Sequence, residues 1–295
     1  MSEVASKKPR IESKLDPELQ KLAERACQQR ELIRQKIKEL DPNIDPSSED
    51  IPPSKPPGIV SQLSNPAFEF RLPFPFVGSA VPKRFEDANS TNNDSWLYMG
   101  REKFADLIDE FRRIRCDPHW TALYVYGTKG YGKSHLLAAF VCVLAVGMVE
   151  VVYIPESREF RRNPVKYMKT AMLFAWADDK SVQQEIVALE TQKGIYEFLD
   201  RRENAVLVFD QLNALQKKEG DDESEVRAKG ELRQWLERLC AGHKSILSSS
   251  TNNRTFLEEQ LKDSSIEIMY AYGGLTEVSL RSDNSFVKGM LLTMI

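Results

Sequence analysis

The sequence predicts an α/β fold: a mainly parallel sheet of five strands between helical layers, preceded by a helix and a Pro-rich linker. Three observations predict it. Tyr124-Val125-Tyr126 is a short apolar strand that runs through Gly127-Thr128-Lys129-Gly130-Tyr131-Gly132-Lys133-Ser134 into an apolar helix opening His135-Leu136-Leu137. Ala205-Val206-Leu207-Val208-Phe209 is a second buried-strand pattern, and it closes on the carboxylate of Asp210. Between and after them, strand-length apolar runs at Glu150–Pro155, Ser245–Asn253 and Ile266–Tyr272 alternate with helical patterns.

The first of these stretches has the form G-x-x-x-x-G-K-S with a strand before it and a helix after it, which is the Walker A phosphate loop in its required context. Gly127, Gly130 and Gly132 let the backbone curl so that successive N–H groups aim at one anion. The helix N-terminus adds its positive dipole end. Lys133 is the residue type that reaches the β- and γ-phosphates, and the Ser134 hydroxyl suits Mg²⁺. Residues 127 to 135, Thr128, Lys129, Tyr131 and His135 included, are therefore the candidate nucleotide cradle. Asp210 matches the Walker B pattern, in which an apolar strand carries a carboxylate to the sheet edge beside Ser134 to hold the metal.

Composition narrows the rest. The 295 residues are 41% hydrophobic and 29% charged with a net charge of −3, a balance that indicates neither a nucleic-acid nor a membrane partner. No apolar run approaches the ~18 residues of a spanning helix, and the Met-Ser-Glu start carries no secretory h-region. Cys27, Cys116, Cys142 and Cys240 lack metal-type spacing and fit reduced thiols, so an intracellular protein is expected, cytoplasmic or nuclear. Lys7-Lys8-Pro9-Arg10 matches a short nuclear-localisation pattern and equally a solvated tail.

Residues 1–41 read as a polar tail and one amphipathic helix, N-capped by Asp16 with Pro17 in its first turn. Its stripe is Leu19, Leu22, Ala26, Ile33, Ile37 and Leu40, interrupted by Gln29 and Arg30. A docking helix for a protein partner and a helix folded back on its own domain both fit. Seven prolines between Pro42 and Pro66 mark 42–66 as a semi-extended linker. The main domain is expected over 67–295. It opens on an aromatic arm (Phe68, Phe70, Phe74, Phe76, Phe85) that would lie on the domain or meet a peptide. Tyr98-Met99-Gly100-Arg101-Glu102 and a helix to Ile114 follow; several ATPase families begin their nucleotide domain this way, near the adenine. Helical patterns fill Pro164–Ala177 and Ser181–Arg202. Lys217–Gly230 reads as a charged loop, and Glu231–Cys240 as a helix closed by Gly242.

The order of these motifs resembles the ASCE class of P-loop NTPases, with a layout like that of the AAA+ and STAND ATPases. The resemblance implies a three-layer domain with strand order 5-1-4-3-2, counted from the phosphate-loop strand. It also implies an Asn at the tip of the Ser245–Asn253 strand reading the γ-phosphate, for which Asn252 is the candidate with Thr251 and Asn253 behind it. More narrowly, Gly127–Leu137, Phe209-Asp210-Gln211-Leu212-Asn213 and Ser248–Asn253 resemble the ATPase module of Crinkler-type proteins of fungi and oomycetes and the related retrotransposon hot spot proteins. ATP rather than GTP follows from the same resemblance, since no Asn-Lys-x-Asp motif occurs. No helical lid domain is expected after the fifth strand.

The sequence leaves hydrolysis open between two readings. The general base of this class stands directly after the Walker B Asp, where this chain has Gln211, an amide that holds water without taking its proton. Glu156, at the end of the strand after the phosphate-loop helix, occupies the position that RecA-like ATPases use. Arg158, Arg161 and Arg162 follow it as a basic turn. Two readings stand: a Mg²⁺-dependent ATPase, slow or partner-stimulated, with Glu156 or Gln211 at the water; and an ATP-gated module or truncated effector or mobile-element protein that binds without turnover.

Overall fold

The structure, a computed structural model of the chain, describes residues 17–45, 58–78, 81–85, 94–147, 149–250 and 264–271. Lys7–Arg10, Asp16 and Thr251–Asn253, with Asn252 among them, lie outside the described residues.

The first helix, α1 (Pro17–Leu40), buries Leu19, Leu22, Ala26, Ile33 and Ile37 against the body of the chain, so its apolar stripe is used internally. Gln29 and Arg30, which break the stripe in sequence, are buried too. Gln29 donates through Nε2 to the carbonyls of Phe74 (2.8 Å) and Asp94 (3.1 Å). Arg30 is surrounded by carbonyls at helix ends, where a guanidinium's forked donors fit better than any apolar side chain.

The Pro-rich stretch is not wholly extended. Its end folds as α2 (Ile59–Ser64), with Ile59, Val60 and Leu63 fully buried. Gly58 offers no capping side chain, so Asp41 from the end of α1 accepts from Ile59 N at 2.9 Å instead. The aromatic arm likewise contains order that its composition concealed. β1 (Glu69–Pro73) pairs antiparallel with β2 (Ser95–Met99), Phe70 opposite Tyr98 and Leu72 opposite Trp96. Those four point inward, while Phe68 stays about half exposed at 49%.

Beyond α3 (Lys103–Cys116) the large sheet is built from β3 (Ala122–Gly127), β4 (Val151–Ile154), β5 (Val206–Phe209), β6 (Lys244–Ser250) and β7 (Ile266–Tyr270). Its order is β4-β5-β6-β3-β7 with every pairing parallel, which in chain order from the phosphate-loop strand is the expected 5-1-4-3-2. Every residue of β3, β4 and β5 is buried, as strands covered on both faces require. The phosphate-loop helix α4 (Lys133–Val146) is buried on almost all sides because it lies between the sheet and α1 and α3.

The β4–β5 connection holds α5 (Ser157–Arg162), α6 (Pro164–Ala175), α7 (Lys180–Ala188) and α8 (Gln192–Asp200). Thr191 splits the last two by capping α8, its hydroxyl accepting from Gly194 N at 3.0 Å. One expectation is corrected: Glu223–Gly230 is not loop but the start of α9 (Glu223–Ala241), capped by Asp222 accepting from Glu225 N at 2.8 Å. Gly230 sits in that helix with open space around it. No described helix is long and apolar enough to cross a membrane.

Candidate functional site

Parallel strands present their carboxyl ends along one edge, and that edge gathers the chemistry. β3 ends at Gly127, β5 leads into Asp210, and Glu156 stands two residues beyond β4. Gly127 is required by packing, because a Cβ there would lie 2.1 Å from Ala271 O at the end of β7. Gly130 and Gly132 adopt φ of 92° and 76°, the left-handed region that glycine enters without steric cost. Thr128 is half-buried, whereas Lys129, Gly130 and Tyr131 are exposed at the loop's crest. The helix then starts, with Leu136 N donating to Gly132 O at 2.9 Å and Ser134 in the first turn.

Lys133 is buried and donates through Nζ to the carbonyls of Gly127 (2.6 Å) and Thr128 (2.8 Å). Burial holds its pKa below the ordinary lysine value, while the Asp210 carboxylate pulls the other way. His135 belongs to the cradle by sequence, but its ring packs against Phe85 at 4.7 Å and Trp96 at 5.3 Å. Burial first, then the charges of Arg101 and Arg84, depress its pKa to about 4 and keep the ring neutral at ordinary pH.

Arg101 is the part of the Gly100-Arg101-Glu102 segment that reaches the loop. Its guanidinium carbon lies 2.4 Å from where a Cβ on Gly132 would stand, so glycine there makes room for it. Gly100 is needed one residue earlier, since its Cβ would fall 2.0 Å from Asn65 O. The Arg101 Nε is buried without a hydrogen-bond partner, a cationic donor left beside the loop.

At the carboxylate side, Asp210 is 1% exposed and accepts from the Ser248 hydroxyl on Oδ1 and from Arg84 Nη2 on Oδ2 at 3.2 Å. Its own carbonyl accepts from Ser157 Oγ at 2.6 Å, which locks the strand end to α5. Arg84 also donates to Glu156 Oε2 at 2.7 Å and to the Pro155 carbonyl. Burial pulls the Arg84 pKa down most strongly, but Asp210, Tyr153 and Glu156 more than offset it and the net shift is upward.

Gln211 sits at φ 61°, ψ 42°, the only non-glycine residue at positive φ among the described residues. With its amide oriented to satisfy both ends, its oxygen accepts from Arg84 Nη1 (3.1 Å) and Nε (3.2 Å) and its nitrogen donates to Glu156 Oε1 (3.2 Å). Of the basic turn, Arg161 pairs with Glu225 and Arg162 with Glu159, on α9 and α5 respectively.

The structure thus brings Asp210, Glu156 and Gln211 to one point and places Lys133 and Ser134 at the start of the neighbouring helix. Two residues there were not singled out from sequence: Arg84, hidden in an aperiodic aromatic arm, and Ser248, one of three consecutive serines. The donor set fits a nucleotide with a divalent cation. Asp210 and Ser134 supply hard oxygens, Gly130 and Gly132 supply the positive-φ turn that a phosphate loop needs, and the unpartnered Arg101 Nε is a cationic donor at the same loop.

Comparison with known proteins agrees with this fold. An uncharacterized protein of Haemophilus influenzae is 28% identical over 109 residues, covering 37% of this chain. The chain spans only 41% of that protein's length. The family model of the NACHT domain matches residues 121–282, from the start of β3 past the end of β7 and more than half of the chain, and the chain belongs to the NACHT family of P-loop NTPase domains.

Proposed function

We propose that this chain binds ATP with Mg²⁺ at the Gly127–Ser134 loop and hydrolyses it slowly, or faster when a partner stimulates it. The observation that carries this reading is the convergence of Asp210, Glu156 and Gln211 on one guanidinium at the carboxyl edge of the sheet. In this reading Lys133 leaves the Gly127 and Thr128 carbonyls for the β- and γ-phosphates, a stronger, charge-assisted acceptor. Arg101 binds the nucleotide from above Gly132. Ser134 and Asp210 would hold the Mg²⁺, which would supply charge neutralisation at the phosphates. Glu156 takes the proton of the attacking water and Gln211 orients that water. Asn252 reads the γ-phosphate. The likeness to Crinkler-type ATPase modules is part of the same proposal and rests on the wording of the motifs alone.

Gln211 also supports the second reading, an ATP-gated module without turnover, because the residue next to Asp210 cannot accept a proton. Steady-state phosphate release with Mg²⁺-ATP separates the two. The ATPase reading expects release above background that disappears in Lys133→Ala. Tight binding with no release, in wild type and with added Mn²⁺ alike, supports the gated module instead.

A further inference from the structure

Arg84 stands where no phosphate-loop motif places a residue, and its contacts are those of a cation between carboxylates. It lies on the short turn Lys83–Phe85. Phe85 anchors that turn by packing on Phe74 at 4.9 Å, Trp96 at 5.2 Å and His135 at 4.7 Å. The guanidinium rests over the Phe85 ring at 4.9 Å and reaches across to the sheet edge. There it touches Asp210 Oδ2, Glu156 Oε2, the Pro155 carbonyl and the Gln211 amide oxygen.

Asp210 Oδ1 accepts from the buried Ser248 hydroxyl and Oδ2 from Arg84 at 3.2 Å, so the donor on the Oδ2 side is itself a cation standing where a metal on that oxygen would approach. A small divalent ion coordinating Oδ2 at about 2.1 Å would stand within about 5 Å of the guanidinium. Two cations that close, at an edge where Asp210 is 1% exposed, repel each other far more than they would in water. The same guanidinium occupies both groups that handle water in the proposed reaction. Glu156 has one oxygen on Arg84 and the other on Gln211, so both of its oxygens are already engaged and neither faces a water unopposed.

We propose that Arg84 is a built-in competitor for the metal at Asp210. Arg84 and the divalent ion exclude one another there, and loading the metal releases Glu156 and Gln211 to the water. The long side chain can leave by a change of rotamer while Phe85 keeps the turn in place. The inference rests on the metal–nucleotide reading above. It adds that metal affinity, not nucleotide affinity, is the quantity that this residue sets.

The test uses the full chain and Mn²⁺ alone, with bound ion read from the free-Mn²⁺ paramagnetic resonance signal and no nucleotide present. Arg84→Gln is expected to bind one Mn²⁺ at least about tenfold more tightly than wild type, and the double variant Arg84→Gln/Asp210→Asn to lose that gain. Equal Mn²⁺ affinity in wild type and Arg84→Gln overturns the proposal, as does a gain that survives in the double variant. Arg84→Met also removes the charge and keeps much of the packing length; it replaces Arg84→Gln, with the same expected gain and the same overturning result, if that variant fails to fold by circular dichroism. A second arm measures ATP affinity in EDTA and in Mg²⁺. The proposal expects the Mg²⁺ enhancement to grow in Arg84→Gln. Equal weakening in both conditions would make Arg84 a phosphate contact and overturn it. If wild type binds no ATP in either condition, the nucleotide reading fails, while the Mn²⁺ arm still decides whether Arg84 competes at Asp210.

Discussion

Arg30 Nε on α1 lies 3.1 Å from the carbonyl oxygen of Ala145, in the last turn of the phosphate-loop helix α4. The same guanidinium donates to Gly147 O at 3.1 Å, Val149 O at 3.3 Å and, at the end of α6, to Ala175 O. One side chain therefore satisfies carbonyls that two helix C-termini would otherwise bury without partners. Burial lowers its pKa, with Asp178 opposing that shift. Arg30→Met keeps the packing volume and removes every donor. It is expected to cost about 3 kcal/mol, seen as a lower urea midpoint at unchanged slope, because buried carbonyls are left unsatisfied. Arg30→Lys reaches fewer of them and should fall between.

His135 makes stability depend on mildly acid pH. Its pKa is about 4 in the folded chain against an ordinary 6.5, so between those values the unfolded chain binds more protons. Its contribution is complete above pH 6.5 and is lost progressively as pH falls toward 4, by up to about 3 kcal/mol in all. Thermal melts from pH 7 to pH 5 should show a falling midpoint in wild type and a flatter profile in His135→Gln.

The two left-handed glycines of the loop separate backbone strain from contact. Gly130→Ala meets nothing within 4 Å and incurs only the positive-φ penalty of about 1–2 kcal/mol. Gly132→Ala incurs the same penalty and also drives its Cβ into Arg101. In paired melts and ATP titrations, Gly132→Ala is expected to be the worse on both measures. Equal losses would remove Arg101 from the site.

The large sheet was legible because its strands are parallel and covered on both faces, so Val206–Phe209 and Tyr124–Tyr126 read as unbroken apolar runs. The phosphate loop was legible because its geometry is local. What sequence concealed depends on distant partners. α2 takes its cap from Asp41, 18 residues away, and β1 finds β2 only across the aromatic arm. Arg84 has no periodic context, and its partners lie about 70 and 126 residues on. The start of α9 is a different case: Asp222 followed three residues later by Glu225 is a capping signature, outweighed by the charge of its surroundings. Buried Gln29 and Arg30 show the same limit, since a polar residue on an apolar stripe marks either an edge or a partner.

Glu156 and Gln211 carry the question of turnover. Glu156→Gln preserves the shape beside Arg84 and removes the proposed base. Phosphate release is expected to fall by about 10²–10⁴-fold, with ATP affinity changed by less than about threefold. An unchanged rate would take Glu156 out of the reaction.

The central claim is that Gly127–Ser134 holds a nucleotide through Lys133. Calorimetric titration of the wild-type chain and Lys133→Ala with Mg²⁺-ATP tests it most directly. One site is expected in wild type, with an affinity weakened at least about tenfold in the variant by the loss of one charge-assisted contact. The same affinity in both proteins, or no binding by wild type, would contradict it.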